Sequence, residues 1–282
     1  MLSLNGFNLT LNHFPNGELN ILNIEEAIKL RKPYTKNNFV LKYESDKDLM
    51  ALMFAKKQVD LRTGFVSELS ISYMPYSRMD RAETFTTPFM LKFVCDFIND
   101  LNFETVYVHE PHSDVTTQLL KNVVAISLVL PLVSVAMDDI GFNKEIDYIV
   151  YPDKTALKRY SSIEAPNKLY AEKNRDFATG RILDLEIKGE VKGKGFNVLL
   201  VDDLCSYGGT FLLNAKKLKE LGANKIYLLV GHCEDSVFKG DIFKSGLIEK
   251  VFTTNSILTT HNDWSNQIYK DRLKVYGWET FE

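Results

Sequence analysis

Residues 198–211 read VLLVDDLCSYGGTF, and this stretch decides the fold class. Four apolar residues run into two adjacent carboxylates, Asp202 and Asp203, and a glycine turn then leads into a helical pattern. A continuous apolar run is typical of a buried parallel strand. Residues that follow such a strand lie at its carboxyl end, where open α/β sheets bind ligands. The stretch therefore predicts a strand, a ligand-binding turn and a helix in succession.

The rest of the chain alternates short apolar runs with longer amphipathic segments, which indicates α/β architecture. We expect strands at residues 38–43, 68–72, 105–108, 148–150, 197–201, 225–230 and 250–253. We expect helices at residues 46–61, 88–101, 116–122, 153–161, 210–221 and 241–245. These elements form two blocks, from which we expect domains at residues 1–140 and 141–282.

The composition narrows the class of protein. The 282 residues are 45% hydrophobic and 25% charged with a net charge of −3, which is typical of a globular chain. No long basic run is present, so we expect no nucleic-acid partner and no anionic membrane partner. Three scattered cysteines fit a reducing compartment. With no signal-peptide pattern and no apolar run of bilayer length, a cytoplasmic location is expected.

The turn after Asp203 has the residues of an anion-binding nest. Gly208 and Gly209 allow backbone N–H groups to turn inward, and the next helix offers its N-terminus to a phosphate. Thr210 suits a helix cap or a phosphate contact. The two carboxylates would repel a phosphate, but they suit sugar hydroxyls or the outer shell of Mg²⁺. The pattern predicts a phosphorylated-sugar site; the alternative is an Asp-rich turn with a structural role.

This stretch resembles the ribose-phosphate loop of type I phosphoribosyltransferases and, more closely, that of ribose-phosphate pyrophosphokinases (PRPP synthetases). Further segments resemble the latter family in its own order: FPNGE at 14–18, YMPYSRMDR at 73–81, HEPH at 109–112, YPD at 151–153, KNR at 173–175, VGH at 230–232 and FTTNSIL at 252–258. Together they cover nearly the whole chain. The resemblance implies an α/β fold of two tandem phosphoribosyltransferase-like domains, with parallel-rich sheets flanked by helices.

The resemblance also implies roles for individual residues. ATP would be bound by Phe14, Asn16, Glu18, Arg78, Met79 and Asp80. Mg²⁺ would be linked to His112 in the first domain and Asp153 in the second. Catalysis would fall to Lys173, Arg175, His112, Asp202 and Asp203. The ribose phosphate would be held by Asp202, Asp203, Ser206, Tyr207, Gly208, Gly209 and Thr210.

The implied activity is that of a transferase in nucleotide biosynthesis. The anomeric hydroxyl of ribose 5-phosphate attacks the β-phosphorus of MgATP, which gives PRPP and AMP. Such a kinase needs no P-loop, and the sequence contains none. Positive charges at Lys173 and Arg175 would stabilise the transferring phosphoryl groups. The family also implies a homo-oligomer, a dimer or a hexamer.

The phosphate loop departs from the family pattern, and this leaves the acceptor open. Where the family has D-T-A-G-T, this chain has Ser206, Tyr207, Gly208, Gly209 and Thr210. Some phage-encoded relatives use ADP-ribose instead, in a route of NAD salvage, and an open phosphate loop with room for a second adenine suits that acceptor. A hypothesis of another class is a non-catalytic PRPP-synthetase-associated regulatory subunit. A third is a phosphoribosyltransferase that consumes PRPP.

Overall fold

The structure is a computed structural model that describes residues 1–33, 35–82, 84, 86–175, 182–259 and 269–281. The side chains of residues 173–175 and 182–184 are outside this description. Within these ranges the chain divides into two compact units, Met1–Ile126 and Ser127–Glu282. None of the helices in the described ranges has the length and apolar character that a membrane crossing requires.

The first unit is built around a mainly parallel sheet. Its strands are β1 Leu2–Leu4, β2 Phe7–Asn8, β3 Leu11–His13, β4 Leu19–Ile21, β5 Asn37–Leu41, β6 Ser67–Ile71, β7 Thr105–His109 and β8 Val123–Ile126. Its helices are α1 Ile24–Lys29, α2 Asp46–Thr63, α3 Met90–Asp100 and α4 Asp114–Leu119. In the described residues the sheet order is β2-β1-β5-β6-β7-β8, with β5 to β8 parallel. Strands β3 and β4 form a separate antiparallel hairpin.

The second unit has a larger parallel sheet. Its strands are β9 Tyr148–Tyr151, β10 Lys168–Arg175, β11 Ile182–Lys188, β12 Val198–Cys205, β13 Ile226–Cys233, β14 Lys250–Thr254 and β15 Leu273–Tyr276. Its helices are α5 Val129–Ile140, α6 Lys154–Arg159 and α7 Gly209–Glu220, with 3₁₀ turns at Asp235–Phe238 and Trp278–Phe281. Among the described residues the order is β11-β10-β9-β12-β13-β14-β15, and only the β10–β11 pair is antiparallel.

Strand β12 is covered on both faces because its side chains alternate between two apolar clusters. Val198 and Leu200 pack with the inner residues of α7, whereas Leu199 and Val201 pack with those of α5 and α6. Burial on both faces explains why the strand is continuously apolar instead of alternating. The continuous apolar run ends at Asp202, which is half-buried.

Each predicted strand overlaps an observed strand, but one predicted helix is not observed and one observed helix, α5, was not predicted. Residues 241–245 form turns, in which the Ser245 N–H donates to the Asp241 carbonyl, and no helix continues from them. Helix α5 lies just before the boundary expected at residue 140, and its apolar face packs into the core of the second unit. The division of the chain accordingly precedes α5.

The N-terminus of α2 is fixed by Asp48. Its Oδ2 accepts the backbone N–H groups of Glu44 (2.8 Å) and Ser45 (2.9 Å), and the side chain is buried. Such a carboxylate satisfies backbone donors that a helix start leaves without partners.

Asp48→Ala should lower the free energy of unfolding by about 1–2 kcal/mol, because two backbone donors lose their acceptor. Urea unfolding followed by circular dichroism measures the change. Lys57→Ala, at an exposed position of the same helix, serves as the control and should leave stability nearly unchanged. Equal effects of the two substitutions would contradict this role for Asp48.

Candidate functional site

Near its carboxyl end, strand β12 carries two adjacent carboxylates with different surroundings. Asp203 is buried and forms an ion pair with Arg159 of α6, with Arg159 Nη1 at 2.7 Å from Asp203 Oδ2. Asp202 is half-buried, and its Oδ1 accepts the backbone N–H of Asp203 at 2.9 Å. The sequence predicts the same role for both acids, whereas the structure pairs Asp203 with a cation.

The surroundings of Asp202 disfavour its negative charge. Burial raises the pKa of Asp202 well above its usual range, and the nearby carboxylates of Asp203 and Asp153 raise it further. Three predicted site residues, Asp153, Asp202 and Asp203, are therefore close enough to interact electrostatically. A group that donates hydrogen bonds, such as a sugar hydroxyl, or a cation would stabilise the ionised form of Asp202.

Asp153 also caps helix α6. Its Oδ1 accepts the backbone N–H groups of Thr155 and Ala156, each at 3.0 Å. This is the bonding pattern of an N-cap aspartate, which fixes the carboxylate at the end of β9. Among the described residues, no group of three or more His, Cys, Asp or Glu side chains is arranged to hold a metal ion.

The glycine turn leads directly into α7. Gly208 has a φ of +84°, a left-handed conformation that favours glycine, and α7 begins at Gly209. Gly209 is exposed, and a Cβ built on it would meet no atom within 4 Å. There is therefore open space beside Gly209 at the first turn of the helix, where backbone N–H groups lack partners within the helix.

The two residues before the glycines face different surroundings. The hydroxyl of Ser206 lies 2.9 Å from that of Ser236, which donates in turn to Glu234 Oε2 at 3.0 Å. Because Ser236 donates its hydroxyl hydrogen to the Glu234 carboxylate, Ser206 is the donor in the hydrogen bond between the two serines. Tyr207, by contrast, is 58% exposed.

The segment after β13 also fixes the backbone of this loop. A Cβ at Gly240 would collide with the carbonyl oxygen of Tyr207, and one at Gly208 would collide with the side chain of Ile242. The conformation of residues 206–208 therefore depends on close packing against residues 236–242.

In the first unit, the predicted adenine contacts lie at the tip of the β3–β4 hairpin. The Phe14 N–H donates to the Glu18 carbonyl at 2.9 Å, and the Glu18 N–H donates to Asn16 Oδ1 at 3.1 Å. Phe14 and Glu18 line a cavity of 490 Å³ together with His13, Gly17, Leu19, Lys47, Met50 and Phe54. Asn16 supports the turn instead of lining this cavity.

The other predicted residues of this unit follow β6 and β7. Arg78 and Met79 are exposed and Asp80 is half-buried on the loop after β6. His112 is half-buried on the bend between β7 and α4. The neighbouring His109 is buried, with its Nδ1 at 3.1 Å from the Ile71 carbonyl oxygen, so it joins the ends of β6 and β7. Parallel pairing places the ends of both strands at one edge of the sheet.

Lys173 and Arg175 lie in strand β10, which pairs with β11. Their side chains are outside the described part of the structure. Their predicted roles at the phosphoryl groups therefore stay predictions.

Similarity to known proteins extends over both units. The chain is 26% identical to ribose-phosphate pyrophosphokinase of Pyrococcus abyssi, over 96% of this chain and 90% of that protein. It is a homologue of the ribose-phosphate pyrophosphokinases. The protein of the same name from Mycoplasma pneumoniae is 28% identical over 90% of this chain and 78% of its own length. No family model matches the chain.

A solved structure agrees with these homologues. The crystal structure of phosphoribosylpyrophosphate synthetase from Mycobacterium smegmatis superposes with a TM-score of 0.74 at 18% identity, covering 97% of this chain and 89% of that one. The α/β fold class with two tandem phosphoribosyltransferase-like domains is thereby confirmed.

Several residues of the two sites were not among those predicted. Arg159 pairs with Asp203, Ser236 and Glu234 hold Ser206, and Lys47, Met50 and Phe54 line the hairpin cavity. The sequence contains a weak indication of the role of Arg159, because a cationic side chain in the helix that follows YPD lies close to the end of a neighbouring strand. The sequence offers no comparable signal for Ser236.

Asp202→Asn should stabilise the protein at neutral and alkaline pH. A raised pKa means that stability is lost as the pH rises through the folded-state pKa of Asp202, and the amide removes this loss. The melting temperature should exceed that of the wild type at about pH 8, and the difference should shrink towards about pH 4. Glu190→Gln, at an exposed position, controls for the lost charge. A lower melting temperature at about pH 8 would contradict the prediction.

Gly240→Ala should destabilise the second unit by about 1–3 kcal/mol, because the new methyl group overlaps the Tyr207 carbonyl oxygen. Urea unfolding measures the loss. Gly193→Ala is the matched control, since a Cβ there meets no atom within 4 Å. Identical unfolding curves for the two variants would show that the loop does not depend on this close approach.

Proposed function

We propose that this chain is a magnesium-dependent pyrophosphokinase that transfers the β,γ-diphosphate of ATP to the anomeric hydroxyl of a ribose phosphate. The observation that carries this proposal is that Asp202 and Asp203 lie near the carboxyl end of β12, a few residues before the exposed helix start at Gly209. Homology to ribose-phosphate pyrophosphokinases over both units supports the same reaction class.

The acceptor is held by the end of β12. Asp202 accepts hydrogen bonds from the ribose hydroxyls, which stabilise its ionised form. Asp203 is oriented by Arg159 and contributes to the same sugar contact. The backbone N–H groups at the start of α7, at Gly209 and Thr210, bind the 5′-phosphate.

The nucleotide is held by the first unit. Phe14 packs against the adenine base, and Glu18 accepts a hydrogen bond from the base in the 490 Å³ cavity. Arg78 binds the phosphates with its planar guanidinium group, and Met79 and Asp80 follow it on the same loop. Asn16 has a positioning role, because its oxygen supports the hairpin turn.

The residues of the candidate site suit a Mg²⁺ ion that binds together with ATP. Mg²⁺ keeps several waters and needs only one or two protein carboxylates when phosphates complete its shell. Asp153 supplies a carboxylate that is fixed at a helix cap and interacts electrostatically with Asp202. His112 suits a contact through water, since Mg²⁺ prefers oxygen ligands. The ion would neutralise charge on the transferring phosphoryl groups.

The transfer requires positioning more than covalent chemistry. The anomeric oxygen attacks the β-phosphorus in line, the bond from that phosphorus to the α,β-bridging oxygen breaks, and AMP leaves. Lys173 and Arg175 stabilise the charge that develops on the β-phosphoryl group and the departing AMP. The proton of the attacking hydroxyl is released, and the diphosphate remains on the sugar.

A specific observation favours ADP-ribose as a second candidate acceptor. Ser206 donates its hydroxyl hydrogen to Ser236, so it has none to donate to a phosphate. The carboxylate of Glu234 adds a negative charge behind the loop. A terminal phosphate carries more charge than a phosphodiester and is disfavoured more strongly by that carboxylate. The exposed Tyr207 offers a ring on which a second adenine can stack.

The test is an acceptor competition. Full-length protein and MgATP are mixed with ribose 5-phosphate, with ADP-ribose or with no acceptor, and AMP and the diphosphorylated sugar are followed by mass spectrometry. We expect AMP in step with a diphosphorylated product. Asp202→Asn should lower kcat/KM for the acceptor by about 10- to 100-fold, the loss of hydrogen bonds to a charged group. Glu190→Gln is the control with an unchanged site.

Each outcome selects one function. Product from ribose 5-phosphate identifies a PRPP synthetase, and product from ADP-ribose alone identifies an ADP-ribose pyrophosphokinase. If the wild type forms no AMP with either acceptor, the kinase proposal is overturned and the regulatory subunit is favoured. Consumption of added PRPP without ATP would favour a phosphoribosyltransferase.

A further inference from the structure

An ion pair ties helix α6 to strand β10 in the second unit. Lys154, the first residue of α6, has its Nζ 2.5 Å from Oε1 of Glu172 in β10. Lys154 directly follows Asp153, and Glu172 directly precedes Lys173. The ion pair therefore joins the turn that carries a proposed magnesium contact to the strand that carries a proposed catalytic lysine.

The backbone pairing brings these two segments to the same edge of the sheet. Strands β9 and β10 are parallel neighbours, and their pairing ends with Tyr151 opposite Tyr170. Asp153 and Glu172 each lie two residues further along the chain. The ion pair thus continues the connection between the two segments past the point where the backbone ladder stops.

On its other side, Glu172 faces a residue of the same charge. In the antiparallel pair of β10 and β11 it lies opposite Glu186, and like charges directly opposite destabilise a sheet. Lys154 offsets the charge of Glu172, and Lys188 Nζ lies 2.7 Å from Glu186 Oε1. Loss of Lys154 would therefore leave the repulsion less balanced directly before Lys173.

The contact favours the ionised form of both partners. The hydrogen bond from Lys154 lowers the pKa of Glu172, and the same hydrogen bond raises the pKa of Lys154. Lys154 is exposed and Glu172 is half-buried. Because an exposed ion pair adds little to the free energy of unfolding, we expect it to affect the local position of β10 more than global stability.

Helix α6 also contacts the strand on the opposite side of β9. Arg159, its last residue, pairs with Asp203 of β12, and the sheet order places β10 and β12 on either side of β9. The helix thus holds β10 through Lys154 and β12 through Arg159. The strand that carries Lys173 and the strand that carries the acceptor carboxylates have one helix as a common support.

We propose that Lys154 and Glu172 are a pair of positioning residues that hold the Lys173 segment of β10 at a fixed place relative to the Asp153 turn. This inference rests on the proposed function, which gives Lys173 its task at the phosphoryl groups. The pair acts through the backbone of β10, and neither of its side chains contacts a substrate.

The test compares variants of the full-length protein in which either charge is removed. Lys154→Met and Glu172→Gln should each lower kcat about 3- to 5-fold, the contribution of one ion pair of this kind, with KM and melting temperature close to wild type. The double variant should be no slower than either single variant, because both remove the same interaction. Lys158→Met, at an exposed position of α6, controls for the lost positive charge.

The comparison of the two single variants separates positioning from direct phosphate binding. If Lys154 bound the phosphates, Glu172→Gln would free that lysine and remove a nearby negative charge, so activity would be unchanged or higher. Positioning instead predicts a loss of the same size in both variants. Lys154→Arg keeps the cation and should retain most of the wild-type kcat.

A second measurement does not depend on turnover. Hydrogen exchange followed by mass spectrometry reports the backbone amides of residues 168–175, which form β10. We expect faster exchange of this segment in both single variants and wild-type exchange in Lys158→Met.

The outcomes distinguish this inference from the proposed function. A wild type that forms no AMP overturns the proposed function, while faster exchange of β10 in both single variants still supports the positioning pair. Wild-type exchange in both variants overturns the pair, whatever the activity. A loss of kcat in Lys154→Met alone overturns it in favour of a direct phosphate contact. Losses of kcat that are matched by falls in melting temperature overturn it too, because they indicate a structural role only.

Discussion

Parallel hydrogen bonding carries β12 from Val198 to Cys205 in register with Ile226–Cys233 of β13. Because neighbouring parallel strands end at the same edge of a sheet, the loops that follow them lie side by side. The Ser206–Ser236 hydrogen bond joins the loops after β12 and β13. In the first unit, Asp46 and Tyr76 join the segments after β5 and β6 in the same manner. Each candidate site therefore depends on the strand pairing beneath it and on cross-links between adjacent loops.

The central strands could be predicted because burial on both faces imposes a continuous apolar run. Helix α5 was not predicted, and Pro131 explains why: a proline inside an apolar segment suggests a break. In the structure Pro131 lies in the first turn of α5. A backbone N–H at that position would have no acceptor within the helix, so proline removes no helical hydrogen bond there. Strand β10 was missed for another reason. It lies between β9 and β11 in the sheet. Its buried residues, Leu169 and Ala171, alternate with half-buried ones, so its apolar run is short.

The candidate site was predictable where function depends on residues that are adjacent in sequence. Asp202, Asp203 and the glycine turn are contiguous, and local spacing alone suggested their chemistry. The partners that orient them come from other strands and helices: Arg159 lies on α6, and Ser236 is 30 residues from Ser206. Only the sheet topology brings these groups together. For the same reason, the sequence assigned one role to both acids, while the structure separates a paired Asp203 from an Asp202 whose charge is disfavoured.

The contact between Gly240 and the Tyr207 carbonyl has a consequence for protein engineering. The loop conformation is specified jointly by residues 206–209 and by residues 236–242, which supply the surface against which the loop is moulded. Grafting only the short loop of a relative into this chain would replace one of the two segments that determine the loop conformation. Recombination of this loop therefore requires both segments to be exchanged together, and natural variants of the loop should co-vary with the segment after β13.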